Sequence, residues 1–241
     1  MRGVLVVFAK RPAPGFVKTR LCPPLRPEQA AELYACMLDD VLAQSARAAP
    51  ALGLEPVLAA HPPAALPELL RRAPAPFRAV PQRGRDHAER MEHAAEWAFA
   101  VGAGAVLLRG SDSPALSERA LAEACAALAR ADLVLSPDPD GGYGLVGLAR
   151  AARGLFAHPM STGSVLHDTL SNARALGLRT ALLAPGFDID TAADLARLAE
   201  ARLREPDLPC PRTLAWLDAH ASAWRERPAG GTARGGAGNL P

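Results

Sequence analysis

Near the N-terminus the stretch Phe8 to Leu21, FAKRPAPGFVKTRL, gathers Lys10, Arg11, Lys18 and Arg20 directly after the apolar run GVLVVF. Pro12, Pro14 and Gly15 restrict and bend the backbone between the two cationic pairs. Fixed lysine and arginine neutralise the charge of a polyphosphate while a nucleophile approaches it, and that is the chemistry this loop suits. A solvated loop can have the same composition; the loop's length and its place after the first strand favour the phosphate reading.

Three acidic loops complete the chemistry. In RGSDSPAL, Asp112 is held between Gly110, Ser111, Ser113 and Pro114 at a strand end. A carboxylate there can cap the next turn or bind Mg²⁺, a hard ion that takes one or two carboxylates plus substrate phosphates. In SPDPDGGYGLVGL, Asp138 and Asp140 precede Gly141, Gly142 and Tyr143. The two glycines either admit a ligand close to the backbone or make a hairpin turn, and Tyr143 lines the pocket or packs on it. In PGFDIDTAADLARL, Asp188 and Asp190 stand two apart, so an extended segment turns both carboxylates to one side, where they call for a cation. Thr191 and Asp194 match a capping box, leaving Asp188 and Asp190 free for metal. Ser161, Thr162 and Ser164 precede a further helix, suited to capping it or to hydrogen-bonding an acceptor.

Other chemistries lack their residues. GxxxxGK[ST], GxGxxG and GxSxG are absent, and His87, His93 and His167 show no metal spacing. Cys22, Cys36, Cys125 and Cys210 are scattered without a CxxC pair, which implies reduced thiols in a cytoplasmic protein. A net charge of +2 is too small to argue for nucleic acid or a membrane surface. No leader segment or membrane-spanning run is expected.

The elements that must position these loops are legible as alternation. Strand candidates fall at 3–8, 54–60, 77–80, 104–110, 132–136, 143–148 and 179–184, with helical patterns between them. Leu33, Met37 and Val41 share one helix face, Ser117 and Asp86 sit as N-caps, and a terminal helix is expected near Pro211–Trp224. The runs lack polar alternation. They therefore predict an α/β fold with a mostly parallel central sheet covered by helices on both faces. Ligands of such sheets bind beyond the carboxyl ends of the strands, where all four loops lie. One domain over 1–226 is expected, followed by a Gly-rich disordered tail over 227–241.

Taken together, FAKRPAPGFVKTRL, GSDSP, DGGYGLVGL, MSTGSVLHDT and DIDTAADL resemble, in order and over about residues 3–200, the bacterial glycosyltransferase-A-like transferases associated with rSAM and selenodomain proteins. The wider superfamily is that of the nucleotide-diphospho-sugar transferases, with the guanylyltransferases of molybdenum and deazaflavin cofactor synthesis. The resemblance implies a Rossmann-like GT-A fold, with Lys18 and Arg20 on the nucleotide's phosphates and Asp112 as central metal ligand. It gives Asp188 and Asp190 a share of the metal, and sets Asp140, Gly141, Gly142 and Tyr143 near donor or acceptor. Here His87-Ala88 and Met160 replace the family's usual Leu-Gly and Trp, changes that bear on the acceptor pocket.

The expectation is a Mg²⁺-dependent nucleotidyltransferase, with Mn²⁺ as the alternative ion. It would transfer NMP from an NTP to a small phosphorylated, phosphonate or hydroxyl acceptor. The alternative is a glycosyltransferase using a nucleotide-sugar; a nucleotide-binding protein without turnover is a third reading. The sequence leaves the oligomeric state open between monomer and homodimer.

Overall fold

The computed structural model describes residues 2–160 and 162–225. The expected Gly-rich tail and the candidate Ser161 lie outside them. The strands are β1 (Gly3–Lys10), β2 (Leu54–His61), β3 (Arg78–Pro81), β4 (Val106–Arg109), β5 (Leu133–Pro137), β6 (Tyr143–Leu148) and β7 (Thr180–Leu182). The helices are α1 (Pro27–Ala51), α2 (Leu66–Arg72), α3 (His87–Ala100), α4 (Glu118–Ala127), α5 (Val165–Ala175), α6 (Ala192–Arg204), α7 (Pro211–Ala219) and α8 (Ala221–Arg225).

The strands form a seven-stranded sheet in the order β3-β2-β1-β4-β6-β5-β7. All neighbouring pairs are parallel except those of β6, which runs antiparallel to β4 and β5. The chain moves outward from β1 to β3 and then resumes on the other side of β1 with β4. Strand order thus reverses between β1 and β4, which opens a crevice at their carboxyl ends.

Strand β1 shows why the sheet is central. Leu5, Val7 and Ala9 enter the core beneath α1 and α4, while Val4, Val6 and Phe8 enter the core beneath α3 and α5. A strand buried on both faces needs apolar residues at successive positions, which accounts for the unbroken run. A third cluster packs Leu21 and Leu25 with α1, α6, α7 and α8. Helix caps fall where the sequence placed them: Asp86 accepts from Glu89 N at 2.9 Å and Ser117 from Ala120 N at 3.2 Å. The capping box of Thr191 and Asp194 opens α6. The expected terminal helix is two helices, broken at His220. Helix α2 has no counterpart in the sequence reading.

Candidate active site

Four loops meet over the β1/β4 crevice. Lys18 carries φ 50° and ψ 37° and is the one non-glycine with positive φ among the described residues. For an L-residue that conformation costs roughly 1 kcal/mol, and here it turns the side chain inward. Its side chain is 3% exposed, with Nζ 2.5 Å from Asp112 Oδ1 and 2.8 Å from Asp190 Oδ1. Burial pushes the ammonium's pKa down, but the two carboxylates outweigh burial and hold it above the ordinary lysine value. Desolvation in the crevice works against the charge on the partly exposed Asp112, but the same contact outweighs it and keeps that carboxyl below its usual range. Arg20 adds a longer contact to Asp190, 3.5 Å.

The Asp112 loop is held from beneath by a buried guanidinium. Arg109 is fully buried and has no carboxylate partner among the described residues. Its Nη2 donates to Gln44 Oε1 at 2.9 Å, Leu116 O at 3.0 Å and Ser113 O at 3.5 Å; its Nη1 donates to Ser45 Oγ at 3.2 Å. Gln44 Nε2 in turn donates to Pro114 O at 2.7 Å. Burial pulls the Arg109 pKa down to about 9, and the fan of acceptors compensates the charge that remains. Across the crevice, Tyr34 on α1 accepts from Lys10 N at 2.8 Å and lies 2.8 Å from Ser111 Oγ, so its hydroxyl ties the end of β1 to the end of β4.

The segment before α6 is anchored the same way. Gly186 N donates to Pro137 O and Ile189 N to Asp112 O, both at 2.9 Å. Ile189 is fully buried in the third cluster, and its neighbours Asp188 and Asp190 line the crevice. Asp190 is paired with Lys18. Asp188 is not paired among the described residues, and its pKa is raised to about 6 by partial burial and by Asp190 and Asp140.

The Asp-Gly-Gly stretch is a hairpin turn joining β5 to β6, and it also approaches its neighbours closely. Gly141 has φ +89°, and a Cβ there would fall 2.0 Å from Gly163 O. Leu166 N donates to Gly141 O at 2.8 Å, so the turn fixes the start of α5. Asp140 accepts from Gly142 N at 2.9 Å. A Cβ on Gly144 would meet Ser113 Oγ at 2.7 Å, which lets β6 pass against the Asp112 loop. Tyr143 lines the cavity but its hydroxyl is turned to Thr169 Oγ1, 3.0 Å away.

Two adjoining cavities result. The larger, about 510 Å³, is walled by Asp112, Asp138, Asp140, Asp188, Asp190 and Tyr143, with Lys10 and Arg20 at its edge. The smaller, about 220 Å³, is walled by Lys10, Lys18, Thr19, Arg20, Asp112 and Asp190 beneath the exposed Phe16. Thr162 lies on the larger cavity, while Gly15 marks the outer turn with open space around it. Arg11 is directed elsewhere, to Glu68 of α2 at 3.1 Å.

Several cavity residues escaped the sequence reading. Arg90, Gln82, Phe8 and Met91 line the larger cavity; His87 and Met160, the departures from the family pattern that the sequence ties to the acceptor pocket, line it too. Asp138 is the most consequential omission. The motif displays it, but local pattern alone gives it no role. It is 8% exposed, and burial followed by Asp188, Asp140 and Asp190 raises its pKa to about 7.

Among the described residues no three His, Cys, Asp or Glu side chains gather closely enough to enclose a metal ion by themselves. Mg²⁺ commonly shares one or two carboxylates with substrate phosphates. On the acidic side of the cavity, Asp188, Asp140 and Asp190 raise the pKa of Asp138, and a buried carboxylate oxygen of Asp138 lacks any partner, which fits an ion completed by substrate.

The sheet order, the reversal at β1/β4 and the acid-lined crevice beside a cationic loop define the nucleotide-diphospho-sugar transferase fold. The chain belongs to the family described as uncharacterized proteins conserved in bacteria (DUF2064), which matches residues 41–162. It is 30% identical to a candidate nucleotide-diphospho-sugar transferase from Desulfovibrio desulfuricans G20, over 93% of this chain and 98% of that one, with a TM-score of 0.83. CMP:2-keto-3-deoxy-manno-octonic acid synthetase in complex with CTP shares the fold at 14% identity and TM-score 0.54, over 85% of this chain and all of that one. So does 4-diphosphocytidyl-2C-methyl-D-erythritol synthase from Anaerococcus prevotii DSM 20548, at 12% identity and TM-score 0.53, over 84% and 99%. No curated protein matches the sequence. No helix of the described residues is long and apolar enough to cross a membrane.

Proposed function

We propose that the protein is a Mg²⁺-dependent nucleotidyltransferase. An oxygen of a small phosphorylated, phosphonate or hydroxyl acceptor attacks the α-phosphorus of an NTP; the bond to the β-phosphate oxygen breaks and pyrophosphate leaves. The observation that carries this reading is the cationic cavity of Lys10, Lys18 and Arg20 directly against Asp112 and Asp190. A departing pyrophosphate needs such cations more than a nucleoside diphosphate does. Asp112, with Asp188 or Asp190, would hold the metal, which polarises phosphate oxygens and neutralises their charge when bound. Lys18 and Arg20 stabilise the leaving group, and Ser111, Asp140, Gly141, Gly142, Tyr143 and Thr162 shape the adjoining space. The CTP complex of a protein with this fold supports a nucleotide in the crevice.

Transfer of a sugar from a nucleotide-sugar is the second reading, favoured by the name of the Desulfovibrio relative. Product analysis separates the two. Incubation with the common NTPs and nucleotide-sugars, with Mg²⁺ or Mn²⁺, gives pyrophosphate release in the first case. Nucleoside diphosphate release without pyrophosphate overturns it in favour of the second.

A further inference from the structure

Lys18 supplies the positive charge for only part of the acid wall. It bridges Asp112 and Asp190, and Arg20 reaches Asp190 as well. Asp138 and Asp188 make no ion pair or hydrogen bond through their side chains among the described residues. Asp138 is the extreme case. Its Oδ1 is sealed from solvent without a hydrogen-bond partner, and the charges that act on it are the carboxylates Asp188, Asp140 and Asp190. Asp140 uses one oxygen on Gly142 N. A carboxylate buried among carboxylates is costly unless a cation compensates it.

The backbone around Asp138 is built to keep it there. Asp138 N donates to Gly142 O at 3.0 Å and Gly141 N to Asp138 O at 3.1 Å, closing the hairpin over it. The hydrogen bond from Gly186 N to Pro137 O brings the Asp188 segment alongside. The two acids therefore come from separate segments locked together at the end of β5, on the wall that continues into Tyr143 and Thr162.

We infer that Asp138 and Asp188 form a second cation position, separate from the Asp112–Asp190 pair that Lys18 bridges, and that it takes Mg²⁺ or Mn²⁺ before any nucleotide arrives. Two carboxylates with water completing the shell are an ordinary hard-ion site. The position rests on the transferase reading for its purpose: an ion there lets an acid-rich wall receive an acceptor that is itself an anion. Its existence stands on Asp138 and its neighbours alone.

The test is titration of the nucleotide-free, full-length protein with Mn²⁺, followed by the electron paramagnetic resonance of free Mn²⁺. Asp138→Asn and Asp188→Asn are each expected to weaken Mn²⁺ by at least the roughly tenfold that loss of even an outer-shell partner costs. Asp112→Asn is expected to leave nucleotide-free Mn²⁺ binding essentially unchanged, because Lys18 holds that carboxylate. Binding that survives in both Asp138→Asn and Asp188→Asn, or that is lost in Asp112→Asn alone, overturns the inference, as does absence of Mn²⁺ binding by the wild type. Should Asp138→Asn fold poorly by circular dichroism, the more exposed Asp188 decides. Mn²⁺ binding with no turnover of any NTP or nucleotide-sugar fails the transferase reading and leaves this site standing; turnover with no Mn²⁺ bound at Asp138 does the reverse.

Discussion

Lys18 Nζ lies 2.8 Å from Asp190 Oδ1 across 172 positions of sequence, and the same ammonium touches Asp112 from a third loop. One buried cation therefore joins the first, second and last chemical loops. Lysine is suited to this role because its flexible stem carries a compact charge with three donors, which can leave carboxylates for phosphates when these arrive. In Lys18→Ala, nucleotide affinity measured by calorimetry with Mg²⁺ should fall about 10- to 100-fold, the worth of one hydrogen bond to a charged group.

Asp112→Ala removes the carboxylate at the centre of the crevice. Metal-dependent turnover should fall by about 10²-fold or more, comparable to loss of one preorganised charged or polar group in an active site. The circular dichroism spectrum should stay native, since the Asp112 side chain is 41% exposed and the loop is held by Arg109 and Gln44 instead. Unchanged turnover would remove Asp112 from the mechanism.

Arg109→Met should be the more damaging change for the fold. It strands Gln44 Oε1 and the Leu116 carbonyl in the interior, at about 1–3 kcal/mol for each unsatisfied group. Urea denaturation should show a loss of roughly 2–5 kcal/mol. Nucleotide affinity should also fall, because the Asp112 loop loses its support.

With divalent ions chelated, the contribution of Asp138 and Asp188 to stability should fall as pH rises from about 4 to about 7. The folded-state pKa values of Asp138, about 7, and Asp188, about 6, lie above those of the unfolded chain. The folded protein then binds more protons than the unfolded one through that window, so deprotonation favours unfolding. For Asp138 the effect is on the order of 3–4 kcal/mol at most, and it is smaller for the more exposed Asp188. Melting temperatures of the wild type and of Asp138→Asn/Asp188→Asn across that range, with and without Mg²⁺, check this; burial of His87 and His61 lowers their pKa values and adds an opposite slope common to both proteins, so a wild-type-minus-variant difference that is flat with pH in chelator contradicts it.

Gly141→Ala should destabilise the hairpin, since a methyl group meets Gly163 O and the backbone stands at φ +89°. A loss of at least about 1–3 kcal/mol is expected, read as a lower melting temperature.

The strands are legible because each centres on a short, mainly apolar stretch between turn residues, though Glu55 interrupts β2 and the edge strands β3 and β7 open on the polar Arg78 and Thr180; the helix caps are legible because capping is local chemistry. What the sequence hid depends on distance. Helix α2 starts at Leu66-Pro67, and the proline reads as a breaker until it is placed in the first turn, where its missing N–H costs nothing. Tyr34 looks like one more apolar position on the α1 face, and its hydroxyl acquires meaning only beside Lys10 N and Ser111. Arg109 reads as a polar strand end, yet it is fully buried. The loops carrying Lys18, Asp112, Asp188 and Asp190 stand out by local composition, whereas the lysine bridge exists only in the tertiary structure. Asp138 was masked by the adjacent Asp-Gly-Gly, whose turn chemistry accounted for the motif without it.

Ile189 works as a peg between two acids. Its side chain belongs to the cluster shared with α6, α7 and α8, so those helices tension the strap that presents Asp188 and Asp190 to the crevice. Helices with no wall in either cavity thereby become part of the machinery. Shortening the chain ahead of α7 would slacken the acids and would also strand the buried Asp40 of α1, whose carboxylate accepts from Thr213 N and Thr213 Oγ1 at 2.8 Å.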